Sequence, residues 1–237
     1  MNRTLRIAGL SLLALAACLA PAVAVAQAPT SIADVKAPVA PVAQIFSLQG
    51  EFVRVAYNNE GFVTLGYRVA NGSVGDEWML LDAGFTVRDG VKSYDLKREA
   101  ISLKTPDGKM IPLATQKEYA AALYLPALSK RAQITRDNLN YFPAEVNKAC
   151  ALLFFSDLGR PGAPPAFEQV DLTDNRACLG RLFFKVPGGI QTGQHWLVTK
   201  FATSEVHVPF RILTKDEEKF LRKNWEDLDK ALRAGVN

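Results

Sequence analysis

Strict alternation of apolar and polar residues is the feature that most constrains how this chain can fold. Val53, Val55 and Tyr57 alternate with Arg54 and Ala56, and the alternation resumes over 63–69 after an Asn/Gly-containing turn. Successive side chains of a strand point to opposite faces, so a period of two predicts strands with one buried face. Two such runs around a short turn predict a β-hairpin.

The alternation recurs further along the chain. A third run covers Met79 to Val87, and a fourth forms a hairpin pattern over 101–113. Later runs cover 149–155, 182–186 and 197–212. Because no helical pattern separates the first four runs, we predict a mainly β fold, either an antiparallel sandwich or a barrel.

The middle of the chain departs from this pattern. Thr115-Gln116-Lys117-Glu118 matches a capping box, in which the Thr hydroxyl and the Glu carboxylate satisfy free backbone amides at a helix start. The following residues, Tyr119 to Leu125, predict a short helix that ends before Pro126. We therefore predict a partly helical insertion over about 115–148.

A second capping box, Thr214 to Glu217, introduces the C-terminal segment. It predicts an amphipathic helix over 215–233. The helix carries one apolar stripe: Leu221, Trp225, Leu228 and Leu232. This stripe either packs on the β-domain or docks a partner chain.

The N-terminus has the pattern of an export signal. Arg3 and Arg6 precede an apolar run from Ile7 to Ala20, and Ala24-Val25-Ala26 supplies small residues for cleavage. We predict a signal peptide over 1–26, an Ala/Pro-rich spacer over 27–48 and a single domain over 49–237. The apolar run is shorter than a membrane span requires, so we predict no transmembrane helix in the mature chain.

An alternative interpretation of the same segment remains open. Leu15-Ala16-Ala17-Cys18 resembles the lipobox of bacterial lipoproteins, in which the cysteine is lipidated. Lipidation of Cys18 would anchor the chain to a membrane. The residues after Cys18 stay apolar, whereas a polar tether is usual in lipoproteins, so cleavage after Ala26 is favoured.

Two cysteines remain after removal of the signal peptide, Cys150 and Cys178. In an oxidising compartment an even count predicts one disulfide, and two separate buried thiols are the alternative. The bond would close a Gly/Pro-rich loop over 156–177. The similar fragments that begin at the two cysteines fit two strands tied together at their starts.

Composition and motifs exclude several function classes. Loss of the first 26 residues lowers the formal net charge from +4 to +2, too little for a nucleic-acid footprint. No phosphate-binding loop, nucleophile elbow or zinc motif is present, and we predict no cofactor. In the predicted final hairpin, His195 and His207 lie about 17 Å apart, too far to share a metal ion. We predict a surface or half-buried His195 and a solvated His207.

The order of features resembles immunoglobulin-like sandwiches of small exported bacterial proteins, including the broad DUF4352-type group. The matching residues are Val63–Asn71, Leu103–Lys109 and Phe184–Gly189. The resemblance covers 51–113 and 180–213, whereas 115–178 departs from it. It implies an antiparallel immunoglobulin-like β-sandwich and a non-catalytic interaction role, with no functional residue to transfer.

These observations favour an exported, periplasmic or secreted binding or assembly module of the bacterial envelope, with a protein partner. A lipid-anchored accessory subunit and a hydrolase with a site of scattered residues are the alternatives. We expect the partner to contact the loop 156–177, through Arg160, Phe167 and Arg176, because neither strand nor helix periodicity explains these residues.

Overall fold

The structure is a computed structural model that describes residues 41–157 and 161–234, together with residues 29, 31 and 39. The predicted signal peptide 1–26, with Cys18, lies outside the described residues, as does Arg160. The strands are β1 (Ile45–Gly50), β2 (Val53–Tyr57), β3 (Gly61–Gly66), β4 (Trp78–Val87), β5 (Tyr94–Lys97), β6 (Ile101–Lys104), β7 (Met110–Pro112), β8 (Lys148–Leu152), β9 (Gln169–Leu172), β10 (Arg176–Lys185), β11 (Gly193–Lys200) and β12 (Glu205–Ile212). The helices are α1 (Arg68–Asn71), α2 (Gln116–Ala121), α3 (Leu125–Ile134) and α4 (Lys215–Ala234).

The strands form two main sheets and one small one. The large sheet has the order β1-β2-β3-β4-β10-β8, the second has β12-β11-β6-β7, and β5 pairs with β9. Every pairing is antiparallel except that of β8 with β10, which is parallel. The prediction of a mainly β fold with antiparallel sheets is confirmed.

One apolar core joins the two main sheets. It takes Leu81 and Phe85 from β4, Leu103 from β6, and Val208 and Phe210 from β12, all of them buried. The alternating residues of each strand supply the buried face, as a period of two requires.

The opposite face of the large sheet is covered by the central insertion. Leu125, Leu128 and Ala132 of α3 pack on Leu80 of β4 and Phe183 of β10. The capping box of Thr115 and Glu118 is present at the start of α2. Pro126 does not end a helix as predicted; it lies in the first turn of α3, where its missing N–H group leaves no hydrogen bond unmade.

Beyond α3, the chain crosses the same face of the sheet. Here a Cβ on Gly84 would lie 2.6 Å from the ring of Phe142, so only glycine lets this ring approach β4. Phe142 also contacts Phe62 of β3, with ring centroids 5.8 Å apart. The segment after α3 is therefore packed against the sheet, although its sequence carries no clear periodicity.

Two boundaries in the first part of the chain differ from the sequence predictions, as do those of β8, β9 and β10 further on. The predicted spacer ran to residue 48, but β1 begins at Ile45 because Ser47 and its neighbours pair with β2. The run 63–69 was predicted to be one strand, but β3 ends at Gly66 and α1 follows, with Val69 and Ala70 buried. Apolar spacing over three residues fits a helical turn as well as a strand end.

Gln44, just before β1, covers the outer edge of β12. Its side-chain amide donates to the carbonyl of His207, and its side-chain oxygen accepts from the His207 N–H, at 2.6 and 2.7 Å. One glutamine side chain thus satisfies both backbone groups of an edge residue.

The C-terminal helix is confirmed and runs to Ala234. Thr214 and Glu217 form the capping box, and the buried Glu217 also accepts from Arg211. Leu228 is buried, whereas Leu221 and Trp225 are only half-buried. The apolar stripe is therefore covered in part, and the side chain of Leu232 lies outside the described residues.

The disulfide predicted between Cys150 and Cys178 is present. The two residues are direct partners in the parallel pairing of β8 with β10, so the similar fragments are indeed neighbouring strands tied at their starts. Cys178 is fully buried and belongs to the core, while Cys150 is half-buried.

The predicted exposure of both histidines is wrong. His195 is fully buried and its ring stacks on Phe210 at 5.4 Å. His207 is also buried, because Glu205 contacts its ring and the amide of Gln44 covers its backbone. The predicted turn 202–205 placed His207 opposite Lys200, but the connection is 201–204, one residue earlier, which pairs His207 with Val198.

His195 should make stability depend on pH. Burial lowers the pKa of His195, against opposing effects of the Gly193 carbonyl and Asp107. Below the ordinary histidine pKa of about 6.5, the unfolded chain therefore binds a proton that folded His195 does not. We expect the contribution of His195 to the free energy of unfolding to be fully present above about pH 6.5. It should decrease as the pH falls from there towards the pKa of His195 in the folded protein, by at most about 1.4 kcal/mol per pH unit.

His195→Asn is the matched variant, since its amide can still donate to the Gly193 carbonyl. The drop in free energy of unfolding between pH 7.5 and 5.5, measured by urea titration, should be smaller in this variant than in the parent. An equal drop in both proteins would show that other groups carry the pH dependence.

Candidate functional site

The segment 156–177, predicted to be the partner-binding loop, is only partly a loop. Val170 and Leu172 alternate within β9, which pairs with β5, so this part of the segment belongs to the fold. Arg176 begins β10, and its guanidinium binds the carboxylate and carbonyl of Asp171. Phe167 is exposed, and its N–H donates to the Leu153 carbonyl. The structure thus leaves Phe167 accessible but engages Arg176 within the chain.

A cleft of about 550 Å³ lies on the outer face of the large sheet. Its floor is formed by outward-facing residues of β4, β8 and β10. One wall comes from α2, α3 and the residues after α3, and the other from residues 155–157 and 161–164. The first part of the predicted loop therefore borders a cavity, which sequence periodicity alone did not reveal.

A pair of opposite charges lies on the floor of the cleft. Arg181 of β10 and Asp82 of β4 are direct cross-strand partners, with 3.6 Å between Nε and Oδ1. Burial raises the pKa of the Asp82 carboxyl, and the guanidinium groups of Arg181 and Arg136 act in the opposite direction. The two side chains are exposed by 25% and 13%, so the charges are largely removed from water but still face the cleft.

Aromatic rings and a hydrogen bond join the two walls. Tyr119 donates from its hydroxyl to Asp157 at 2.6 Å, and burial followed by this carboxylate raises the pKa of Tyr119. The rings of Tyr119, Phe155 and Phe183 contact one another, with centroids 4.9 to 5.1 Å apart. The Gln116 amide exchanges two hydrogen bonds with the backbone of Ser156. The wall around 155–157 is therefore held in place.

Arg98 supports this wall from beneath. Its side chain is 9% exposed and donates to the carbonyls of Ala114 and Phe154, and to Glu168 at 3.1 Å. Its guanidinium also lies over the ring of Phe155, 4.7 Å from the centroid. Sequence reasoning missed Arg98, because a buried cation within a charged stretch carries no pattern of its own.

The two carboxylates of the described cleft, Asp82 and Asp157, contact Arg181 and Tyr119. The lining of this cleft contains neither histidine nor cysteine. The described residues hold no cluster of three or more His, Cys, Asp or Glu side chains suited to a metal ion. The Ser156 hydroxyl, one of the hydroxyls at the cleft, donates to the Pro164 carbonyl. The arrangement is suited to holding a ligand by charge, hydrogen bonds and apolar contact.

Comparisons with known proteins add no relative to this picture. No protein-family model, curated protein or solved structure matches the chain.

Within residues 41–157 and 161–234, no helix combines the length and apolar character needed to cross a membrane.

Proposed function

We propose that this chain is an exported, non-catalytic binding module of the bacterial cell envelope, which contacts a protein partner through its cleft face. The cleft beside Arg181 and Asp82 is the observation that carries the proposal, because its walls are held by internal hydrogen bonds while its charged floor stays accessible. Largely pre-formed clefts with a few convergent polar groups are typical binding sites.

The proposal includes an immunoglobulin-like β-sandwich as the scaffold. Two largely antiparallel sheets that share one core support it, as does the resemblance of 51–113 and 180–213 to exported bacterial domains. Such domains usually bind through surfaces that a rigid core presents but does not need for its own packing.

Export to the periplasm or the medium is the second part of the proposal. It is supported by the N-terminal sequence pattern and by the Cys150–Cys178 disulfide, a bond that persists in oxidising compartments. The alternative is an accessory subunit anchored through lipidated Cys18. Mass spectrometry of the mature N-terminus distinguishes cleavage after Ala26 from a lipid on Cys18.

A hydrolase is the less favoured alternative. It would need a nucleophile beside a base, whereas the Ser156 hydroxyl and the Asp157 carboxylate at the cleft are both engaged in internal hydrogen bonds. Binding requires only the accessible charges and apolar walls.

Replacing residues 161–164 by a Gly/Ser segment of equal length tests the cleft face. We expect at least tenfold lower recovery of the partner when the tagged variant is used for affinity capture from native envelopes, with an unchanged melting temperature. The matched control replaces the turn 89–92, which does not line the cleft. Equal recovery of the same partners by both variants and the parent would place the contact elsewhere.

A further inference from the structure

The guanidinium of Arg181 has hydrogen-bonding capacity that the described residues do not fill. Its side chain is three-quarters buried, and its contact with Asp82, 3.6 Å between Nε and Oδ1, engages at most a minority of its donors. An arginine carries five N–H donors. The nitrogen atoms of Arg181 are not among the fully buried, unpartnered atoms of the described residues, and Arg181 lines the cleft.

A second guanidinium stands near the same place. Arg136 lines the cleft, is exposed, and acts with Arg181 on the Asp82 carboxyl. The other carboxylate of the cleft, Asp157, already accepts from Tyr119. Asp137 also acts on Asp82, but it is paired with Arg68 at 2.9 Å and does not line the cleft. Two cations therefore share one carboxylate within the cleft, and the unfilled hydrogen-bonding capacity is that of the guanidinium donors. An anionic oxygen group is the complementary ligand, and a carboxylate matches the planar fork of arginine.

About half of the lining is apolar, and the rest includes Ser129 and Gln133 as well as the charged groups. Leu139, Phe155, Leu179 and Phe183 line the same cleft as the two arginines, together with Pro161 and Pro164. A bare inorganic anion would leave these surfaces uncovered. The chemistry of the cleft therefore fits a carboxylate carried next to a large apolar group.

Strand β8 indicates what kind of molecule carries that group. It is the edge strand of the large sheet, and residues 151–153 line the cleft. The Leu153 carbonyl already accepts from the Phe167 N–H, but Lys148–Leu152 pairs with β10 alone among the described strands. Ala149 and Ala151 are small and exposed, so they leave room for an extended chain beside this part of the strand. Free strand edges offer backbone hydrogen bonds to an added polypeptide segment.

We propose that the cleft binds a carboxylate of a partner polypeptide next to a large apolar side chain, with Arg181 and Arg136 as the carboxylate-binding residues. The proposal rests on the protein-binding function inferred above and identifies what that partner presents. The carboxylate comes from a chain terminus or from an acidic side chain.

Four probes separate these sources on the full mature chain. N-acetylphenylalanine carries a terminal carboxylate, N-acetylglutamyl-phenylalanine amide carries a side-chain carboxylate, N-acetylphenylalanine amide is neutral, and octanoate is an acid without a peptide. Binding is followed by the NMR shifts of the arginine Nε–Hε groups during titration. We expect at least one peptidic carboxylate to shift Arg181 and Arg136 and to bind about tenfold more tightly than the neutral amide.

Variants assign the effect to the two arginines. Arg136→Gln changes an exposed residue and should weaken binding of the better peptidic carboxylate about tenfold. The double change Asp82→Asn with Arg181→Gln keeps a polar cross-strand pair without burying a lone charge, and should abolish binding. Arg222→Gln on α4, outside the cleft, is the control and should bind as the parent does.

Three results would overturn the proposal. If the neutral amide binds as tightly as the peptidic acids, the cleft does not recognise a carboxylate. If octanoate binds as tightly as both peptidic acids, the cleft does not recognise a polypeptide. If the double variant binds as the parent does, Arg181 is not a carboxylate-binding residue. If no probe binds while partner capture still depends on 161–164, the carboxylate inference fails and the proposed function stands. Carboxylate binding without such capture would instead overturn the proposed function.

Discussion

Replacing both Cys150 and Cys178 by Ala should lower the free energy of unfolding by about 2–5 kcal/mol. The bond closes a separation of 28 residues, for which the chain-entropy model gives about 3.5 kcal/mol. It also ties down β8, an edge strand whose pairing within the described sheet is limited to β10. Cys178 is fully buried, so its truncation adds a small cavity to the entropic effect.

Urea titrations of the parent and the double variant measure this loss directly. Titration of the parent with and without reductant provides the matched control, since it breaks the bond without changing any side-chain carbon. A loss below 1 kcal/mol, or peptide mapping that finds two free thiols, would contradict the prediction. Because residues 151–153 line the cleft, the double variant should also bind the partner more weakly.

Arg98→Met should be the most damaging single change near the cleft, with a loss of about 3–5 kcal/mol in the free energy of unfolding. Met fills much of the same volume but leaves the carbonyls of Ala114 and Phe154 without their donors. It also removes the cation from the rings of Phe154 and Phe155, which lie 5.5 and 4.7 Å from the guanidinium.

Glu168→Gln is the control for the ion pair. The Glu168 side chain is 76% exposed, so its charge should contribute less than about 1 kcal/mol. Chemical denaturation of the two variants should therefore separate them clearly. Equal losses would mean that the ion pair, and not the two buried carbonyls, secures Arg98.

Sequence patterns predicted the parts of this fold that depend on interactions between residues close in sequence. The alternation in β2 and β4, the capping boxes at Thr115 and Thr214, and the disulfide are all present. Each depends on residues close in sequence or, for the disulfide, on a count of cysteines.

The cleft could not be predicted in the same way. Asp82 and Arg181 meet because β4 and β10 pair in one particular register, although the two residues are far apart in sequence. Strand β9 was hidden in a Gly/Pro-rich stretch, since four residues are too few to show a period against that background. Arg98 was missed because its burial depends on carbonyls and rings from two distant segments, at Ala114 and at Phe154–Phe155.

Gln44 makes the edge strand β12 of the second sheet less accessible to other chains than the edge strand β8 of the large sheet. By pairing with both backbone groups of His207, its side chain imitates one residue of a neighbouring strand and protects β12 from other molecules. A chain shortened to remove residues 41–44 would present that edge bare and become prone to self-association through strand pairing. The segment before the first strand thus protects the protein against aggregation, because it prevents strands of other molecules from pairing with β12.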